Sequence, residues 1–427
     1  MSKTCCTFCL SFFILFIVLS SSLSAQTTIS SPYSRYGIGD LTPISNAWNL
    51  SMGESGIALR SPTHINLVNP ASFTAFDSTS FIFEGGVIIN SVQLRSTLQY
   101  ASRTYASVGY LTFGFPVTKW WKTSLGLLPF SNVGYNVIAD TTMPGIGHSA
   151  RIYSGSGGIN SFYWGNAFRL FKNLSIGFKA SYLFGTITRE ASSTYPDSLY
   201  YLNLRETNNI TLSGIYLDYG IQYTARLKND LVMTVGGIFG TNSIIHGKTD
   251  YLALTYFESS GTEYPKDTIA NEAGVRGSVT IPMMFGAGIA FEKTDKWLAS
   301  IDYKWQNWKN YRSFDQNDSL INSYKISAGV ELIPDANNYT NYLKRLRYRF
   351  GFLYNHSYLQ LRGKHLDEYA VSLGFGLPIR SLKTVINLSG QVGTRGTTQS
   401  NLIKETYFKF VLGFSIYERW FIKRKYF

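Results

Sequence analysis

Beyond residue 25 this 427-residue chain has no cysteine; the three it contains, Cys5, Cys6 and Cys9, all lie before that point. Their absence excludes disulfides, thiolate metal sites and a cysteine nucleophile from the rest of the chain. Charge is scarce too: Asp, Glu, Lys and Arg make up 15% of the residues, against about 25% in soluble domains. No uninterrupted apolar run of about 18–20 residues follows residue 25, so no helix of bilayer-crossing length is encoded. The five histidines, His64, His148, His246, His356 and His365, show no metal-ligand spacing. No phosphate-cradling loop or nucleic-acid module is present. These absences predict no metal, no cofactor and no nucleic-acid partner. An enzyme would need a Ser/His/acid cluster at one rim, with His148 or His246 as the candidates.

What the chain does have is aromatic residues and glycine: 30 Tyr, 29 Phe and 8 Trp, 16% in all, with 38 Gly. Residues 1–25 read as a secretory signal, with Lys3 in the n-region, Leu10–Leu19 as the apolar h-region and a small-residue cleavage region at Ser20–Ala25. An exported chain that is aromatic, glycine-rich and charge-poor, with no spanning helix, implies a transmembrane β-barrel. The formal charge of +13 comes from Lys and Arg dispersed over turns and strand faces. Two readings fit that dispersal, contact with anionic lipid headgroups and simple solvation of turns.

From about residue 80 the sequence alternates with period two. In Leu174–Thr186, Leu174, Ile176, Phe178, Ala180, Tyr182 and Phe184 share one face, and Ser175, Gly177, Lys179, Ser181, Leu183 and Gly185 the other. Leu366–Ile379 behaves the same way. Such segments run 12 to 18 residues, whereas soluble strands average about 5–6. Fourteen of them can be counted between 80 and 417, an even number that suits a bacterial barrel. Every second connection is a short turn: "VTKW", "FKNL", "LKNDL", "EKTDKW" and "PIRSLK". The longer stretch Pro334–Lys344 is the exception on that side. The opposite connections are longer, notably 191–207 and 249–277, so the short turns are expected to be periplasmic. Trp120, Trp121, Trp297 and Trp420 stand beside turns or the C-terminus, where an aromatic girdle belongs. The terminal Phe427 resembles the signal read by the outer-membrane assembly machinery.

Residues 26–79 do not alternate. They contain "SMGESGIALRSPTHINLVNPASF", in which Met52-Gly53, Gly56, Ala58 and Asn69-Pro70-Ala71 resemble the amino-terminal region of the FadL family of outer-membrane transporters and its Bacteroidetes relatives, including PorV-like proteins. The opening "SPYSRYGIGDL" and the carboxy-terminal segment point to the Bacteroidetes branch. The resemblance implies three parts: a signal peptide (1–25), an amino-terminal hatch (26–79) and a transmembrane barrel (80–427). It also implies that hydrophobic, fatty-acid-like molecules pass the porin-like barrel by passive diffusion, gated by the hatch. The PorV-like branch implies instead a scaffold or shuttle with a secretion-system protein as partner. Outer-membrane lipid and lipopolysaccharide are the expected surroundings in either case.

Within the hatch, Tyr33, Arg35 and Tyr36 are candidates to meet polar lumen groups. Asn69 and Pro70 form either a gate or an ordinary Pro-directed turn. Arg345, Arg347 and Arg349 alternate with Leu346, Tyr348 and Phe350 and share the face opposite lipid. They suit a carboxylate headgroup, or a ladder with acidic residues of plug or wall, or headgroup contact at the rim. Gly155, Gly157 and Gly158 mark a kink or bulge in the fourth strand, where the wall can open.

Overall fold

The computed structural model describes residues 31–145, 147–197, 200–338, 340–379 and 383–419. The signal-peptide reading, the start of the hatch and the last eight residues, Trp420 and Phe427 included, lie outside them.

Fourteen antiparallel strands close into a barrel. In chain order they are β1 (Ser80–Arg95), β2 (Tyr100–Pro116), β3 in two pieces (Trp121–Asn132 and Tyr135–Met143), β4 (Gly147–Arg169), β5 (Leu174–Thr194), β6 (Asn203–Arg226) and β7 in two pieces (Leu231–Gly240 and Ser243–Ser259). There follow β8 in two pieces (Thr262–Ile281 and Met284–Lys293), β9 (Trp297–Gln306), β10 (Ser323–Leu332), β11 (Arg347–Leu361), β12 (Lys364–Ile379), β13 (Thr384–Arg395) and β14 (Lys404–Arg419). Closure is made by β14 on β1, paired from Lys404↔Arg95 to Arg419↔Ser80. Closing the sheet leaves no terminal edge open to another chain.

The alternation decides which way each residue points. On β5, Phe178, Tyr182 and Phe184 are exposed, while Ser175, Gly177, Lys179 and Ser181 are buried inside. On β12, Tyr369, Val371, Leu373 and Phe375 face outward, with Ala370, Ser372 and Gly374 within. An exterior this apolar around a polar, small-residue interior is the inverse of a soluble sandwich and suits lipid. Trp120 and Trp121 pack with Phe168 at the short-turn end, centroids 5.9 and 6.1 Å away, and Trp297 opens β9 at that same end.

Two expectations need correction. The stretch 249–277 is not a loop but the tall hairpin of β7 and β8, paired from Ser243↔Ile281 to Ser259↔Thr262. Much of 191–207 is likewise strand, where β5 and β6 continue. The period-two signal fades there because most of Thr262–Ile281 is exposed on both faces, so polar and apolar residues no longer have to alternate. The second correction concerns Arg345. It closes a short helix, α2 (Tyr342–Arg345), capped by the Asn341 side chain accepting from Leu343 N, and the strand begins only at Arg347. The Arg345 guanidinium lies over the Tyr342 ring, 5.5 Å from its centroid, not beside Arg347 and Arg349.

The hatch packs inside the barrel, its Pro70–Ala75 turn and its Ala47–Ser51 helix seated against the strands. Its described residues carry one α-helix, α1 (Ala47–Ser51), two 3₁₀ turns (Pro32–Arg35 and Pro70–Ala75) and a two-residue strand, Asp40–Leu41. It is otherwise irregular, and such backbone at membrane depth is tolerated only inside protein. Small wall residues let it approach. A Cβ on Gly329 would stand 2.5 Å from Met52 O, one on Gly177 2.6 Å from Ala71 N, and one on Gly351 would overlap Gly53 N. Gly177, Gly329 and Gly351, with Gly236 against Ile57 O, therefore form a landing belt for hatch main chain.

Candidate functional site

Asn69 is fully buried and serves two purposes. Its Oδ1 accepts from Ala71 N at 3.0 Å, capping the Pro70–Ala75 turn. Its Nδ2 donates to Ile57 O at 2.7 Å and reaches Ile221 O on β6 and Gly237 O on β7 at 3.3 Å. Asn69-Pro70 is thus a turn that also bolts hatch to wall. Asn69→Ala should cost about 1–3 kcal/mol, because it strands buried carbonyls as well as the cap; denaturant-induced unfolding of the hatch, followed by protease sensitivity at Arg60, measures it.

Tyr33 anchors the other end. Its hydroxyl donates to Ile403 O at 2.6 Å and accepts from Ile403 N at 2.9 Å. Burial pushes the phenol up to about 12, so it keeps the proton it donates. Tyr36 instead joins an apolar cluster, and the exposed Arg35 stacks over the Tyr153 ring, 4.7 Å from its centroid. The strongest tie of this segment is Arg395 on β13. It grips Asp40 bidentately at 3.0 Å, donates from Nε to Glu405 at 2.8 Å and from Nη2 to Ser31 Oγ at 2.9 Å.

Arg347 and Arg349 do point into the lumen, and there they meet an acid of the wall. Glu331 on β10 takes Arg347 Nη1 at 3.1 Å and Arg349 Nε at 2.6 Å, while Arg349 Nη1 donates to Asn387 at 2.7 Å. This is the ladder arrangement, with Arg349 Nη2 buried and left without a hydrogen-bond partner among the described residues. Deeper in the hatch, His64 shares Nδ1 contacts with Glu84 at 3.0 Å and Ser415 at 2.9 Å. Burial holds its imidazole below the ordinary value despite Glu84.

The wall has a gap. Of β2, only Leu111–Pro116 pairs with β3, opposite Lys122–Leu127. Tyr100–Tyr110 finds no ladder partner on that side among the described residues. The edge of β3 facing it is closed by the hatch instead: Asp40 pairs with Asn132 and Leu41 with Ser131, and Thr42 N donates to Phe130 O at 3.0 Å. At the break in β3, Ser31 N donates to Gly134 O at 3.0 Å, and Val133 N to Gly157 O at 2.9 Å.

Gly155, Gly157 and Gly158 sit on β4 against this break. Gly157 has φ +97°, and a Cβ on Gly155 would overlap the Tyr135 ring. The bend they permit lets β3 swing away from β2. Sequence reasoning located the glycines on β4 but missed their cause on β3, where Pro129 at a bulge and Gly134 at the break are the readable signals.

Behind the gap lies a cavity of about 310 Å³. It is walled by Asp40–Ser45 of the hatch, by Tyr105 and Ser107 of β2, and by Phe130 of β3. Ile88, Val92, Leu353 and Val411 give it apolar surface; Lys304, Lys325, Lys409, Glu54 and Glu368 give it charge. These lumen charges escaped the sequence reading. Their signal is a charged residue at an inward position in mid-strand, as Asp302 and Lys304 are in "SIDYKW".

A family model, BamG, matches residues 6–427. The chain belongs to the BamG family. Comparison with curated proteins yields no match. Among solved structures, this BamG-family barrel is similar to the Pseudomonas putida toluene transporter TodX, with 14% identity and a TM-score of 0.59 over 89% of this chain and 99% of that one. The Ralstonia pickettii toluene transporter TbuX follows at 12% identity and 0.58, covering 90% and 99%. A Pseudomonas aeruginosa FadL homologue stands at 11% and 0.55, covering 90% and 100%. At such identities the likeness carries the fold: the BamG-family chain has a FadL-type barrel.

Proposed function

We propose that this barrel is an outer-membrane channel for hydrophobic small molecules, which enter the lumen cavity and leave sideways through the gap between β2 and β3. The observation that carries the reading is the gap itself, backed by a cavity and, among the described residues, bordered on its β3 edge by hatch main chain. A wall strand permanently paired would offer no such exit. Movement needs no chemistry; displacing Asp40–Thr42 from β3 joins cavity to membrane. Among the structures it resembles are the monoaromatic hydrocarbon channel CymD and the toluene transporter TodX, which supports the same class of cargo here.

The test is uptake of radiolabelled toluene by cells or proteoliposomes carrying the full chain. Ser107→Trp, which fills the cavity mouth on β2, should cut the protein-dependent rate about tenfold, as a closed path does. Unchanged uptake in a variant that still folds would remove lateral exit from consideration.

The tall sheet built by β5–β8 favours a second role. Its hairpin of Ser243–Ser259 and Thr262–Ile281 stands far above the barrel, and Phe257 and Tyr264 stack at its tip with centroids 5.1 Å apart. An ordered projection of this kind suits a scaffold or shuttle that holds a secreted partner, as in the PorV-like branch. Trimming 249–275 to a tight turn should abolish co-purification of such a partner and leave toluene uptake intact.

A further inference from the structure

The barrel is charged unevenly around its wall. No acidic residue stands between Glu84 and Asp140, nor between Glu368 and Glu405. Those two stretches contain β2 and β13 whole and most of β1, and β14 has no acid between Glu405 and Glu418 at its short-turn end. The tall sheet of β5–β8 differs, with Glu190, Glu206, Asp250, Glu258, Glu263 and Glu272 upon it.

Within the acid-poor flank, Lys404 on β14 and Arg95 on β1 are direct cross-strand partners, at the end away from Trp120. Both are exposed on the outer face, and neither makes an ion pair or hydrogen bond among the described residues. Like charges placed opposite one another in a sheet repel. The acids that border the flank are engaged elsewhere. Glu405 points inward and meets Arg395 and Ser31. Glu368, also inward, accepts from the Tyr407 hydroxyl at 2.6 Å and from Asn355 Nδ2 at 2.9 Å. Glu84 meets His64 inside, and Asp367, on the outer face of β12, takes His356 Nδ1 at 2.7 Å.

The face below the two cations is graded. One rung down, the exposed Thr406 stands opposite the exposed Gln93. On the next rung Phe408 lies between Val392 and Ser91, and Ser91 Oγ accepts from Thr104 of β2 at 3.0 Å. Deeper still, Ile89, Val87 and Leu412 are exposed. Each rung is two residues, about 7 Å along the strand. Descending from the rim, the surface offers cations, then neutral hydrogen-bonding groups, then hydrocarbon.

We propose that the outer face of β13, β14, β1 and β2 is a docking surface for a phosphorylated saccharolipid of the outer leaflet. Arg95 and Lys404 hold its phosphate, which relieves their mutual repulsion, and the guanidinium suits two phosphate oxygens at once. Gln93, Thr406 and the Ser91–Thr104 pair face the sugar hydroxyls. Val87, Ile89, Phe408 and Leu412 lie along the acyl chains. The site stands outside the lumen and does not depend on what the channel carries.

The test follows lipid retained by the purified full chain in native mass spectrometry. Bisphosphorylated lipid A is the probe, compared with lipid A stripped of its phosphates and with dioleoylphosphatidylglycerol. The phosphorylated form should bind about tenfold more tightly than the stripped form. Arg95→Gln with Lys404→Gln should lose that preference, and the charge-conserving exchange of Arg95→Lys with Lys404→Arg should restore most of it. Lys119→Gln with Lys172→Gln, in turns at the opposite end, should keep it in full. Gln93→Leu with Thr406→Val should weaken lipid A and leave phosphatidylglycerol unchanged. Single Arg95→Gln and Lys404→Gln variants, each about threefold weaker, carry the test if the double variant does not fold.

Equal retention of the two lipid A forms, or an undiminished preference in the Arg95 and Lys404 variants, would overturn the site. An equal loss in the turn-lysine control, or phosphatidylglycerol held as tightly as lipid A, would reduce it to unspecific attraction and overturn it as well.

Discussion

Gly351→Leu should turn the sealed barrel into an open pore. A Cβ at this position overlaps the main-chain nitrogen of Gly53, and the neighbouring Gly329 already lies against Met52. Backbone on both sides leaves nothing flexible to yield, so the hatch has to lift from β10 and β11. The wall itself survives, because Gly351 pairs through its main chain with Gly329 and Ser372, and those ladders need no side chain. Ion conductance of the purified protein in planar bilayers should rise by about an order of magnitude, toward that of an unplugged fourteen-stranded pore. Gly109→Ala, whose Cβ meets the flexible end of Ile88 and not the hatch, should remain sealed. A sealed Gly351→Leu barrel would show that the hatch is not seated by the glycine belt.

Arg395→Met should release the first hatch segment. The guanidinium holds Asp40 and Glu405 together, both largely buried, and Ser31 donates to the same Glu405. Removing the cation leaves two carboxylates facing each other without compensation, a change that costs about 3–5 kcal/mol in buried networks. The loss falls on Ser31–Thr42, since β13 and β14 keep their ladder from Val385↔Ser415 to Arg395↔Glu405. Hydrogen exchange at the Leu41 and Thr42 amides should quicken by about two orders of magnitude or more, while amides of β13 stay protected. Arg395→Met with Asp40→Asn and Glu405→Gln should regain much of the protection. Unaltered exchange in the single variant would mean that the Tyr33–Ile403 bonds hold the segment unaided.

The barrel was legible because membrane strands announce themselves twice, by their length and by their alternation. Leu174–Thr186 reveals both its faces without any partner being known. The hatch was legible only as a region that breaks this rule. Its contacts join residues far apart in sequence, such as Asp302 accepting from Gly56 N and Ile57 N at 2.6 and 2.8 Å, and no local pattern encodes such a meeting. The arginines show the same limit: alternation put Arg347 and Arg349 inside, but Glu331 lies on another strand. Arg345 fitted the alternation and still left it, because Asn341 caps a turn there. Arg395, the strongest tie from wall to hatch, stands in "GTRG", where nothing local sets it apart from the other arginines.

The pairing of Asp40–Leu41 with Ser131–Asn132 makes the plug a missing stave of the wall. Plug and stave are one piece of chain, so in the proposed channel whatever draws that rung inward opens the side of the barrel in the same stroke. The proposed passage then asks for a single moving part, a short segment that is both stopper and side door.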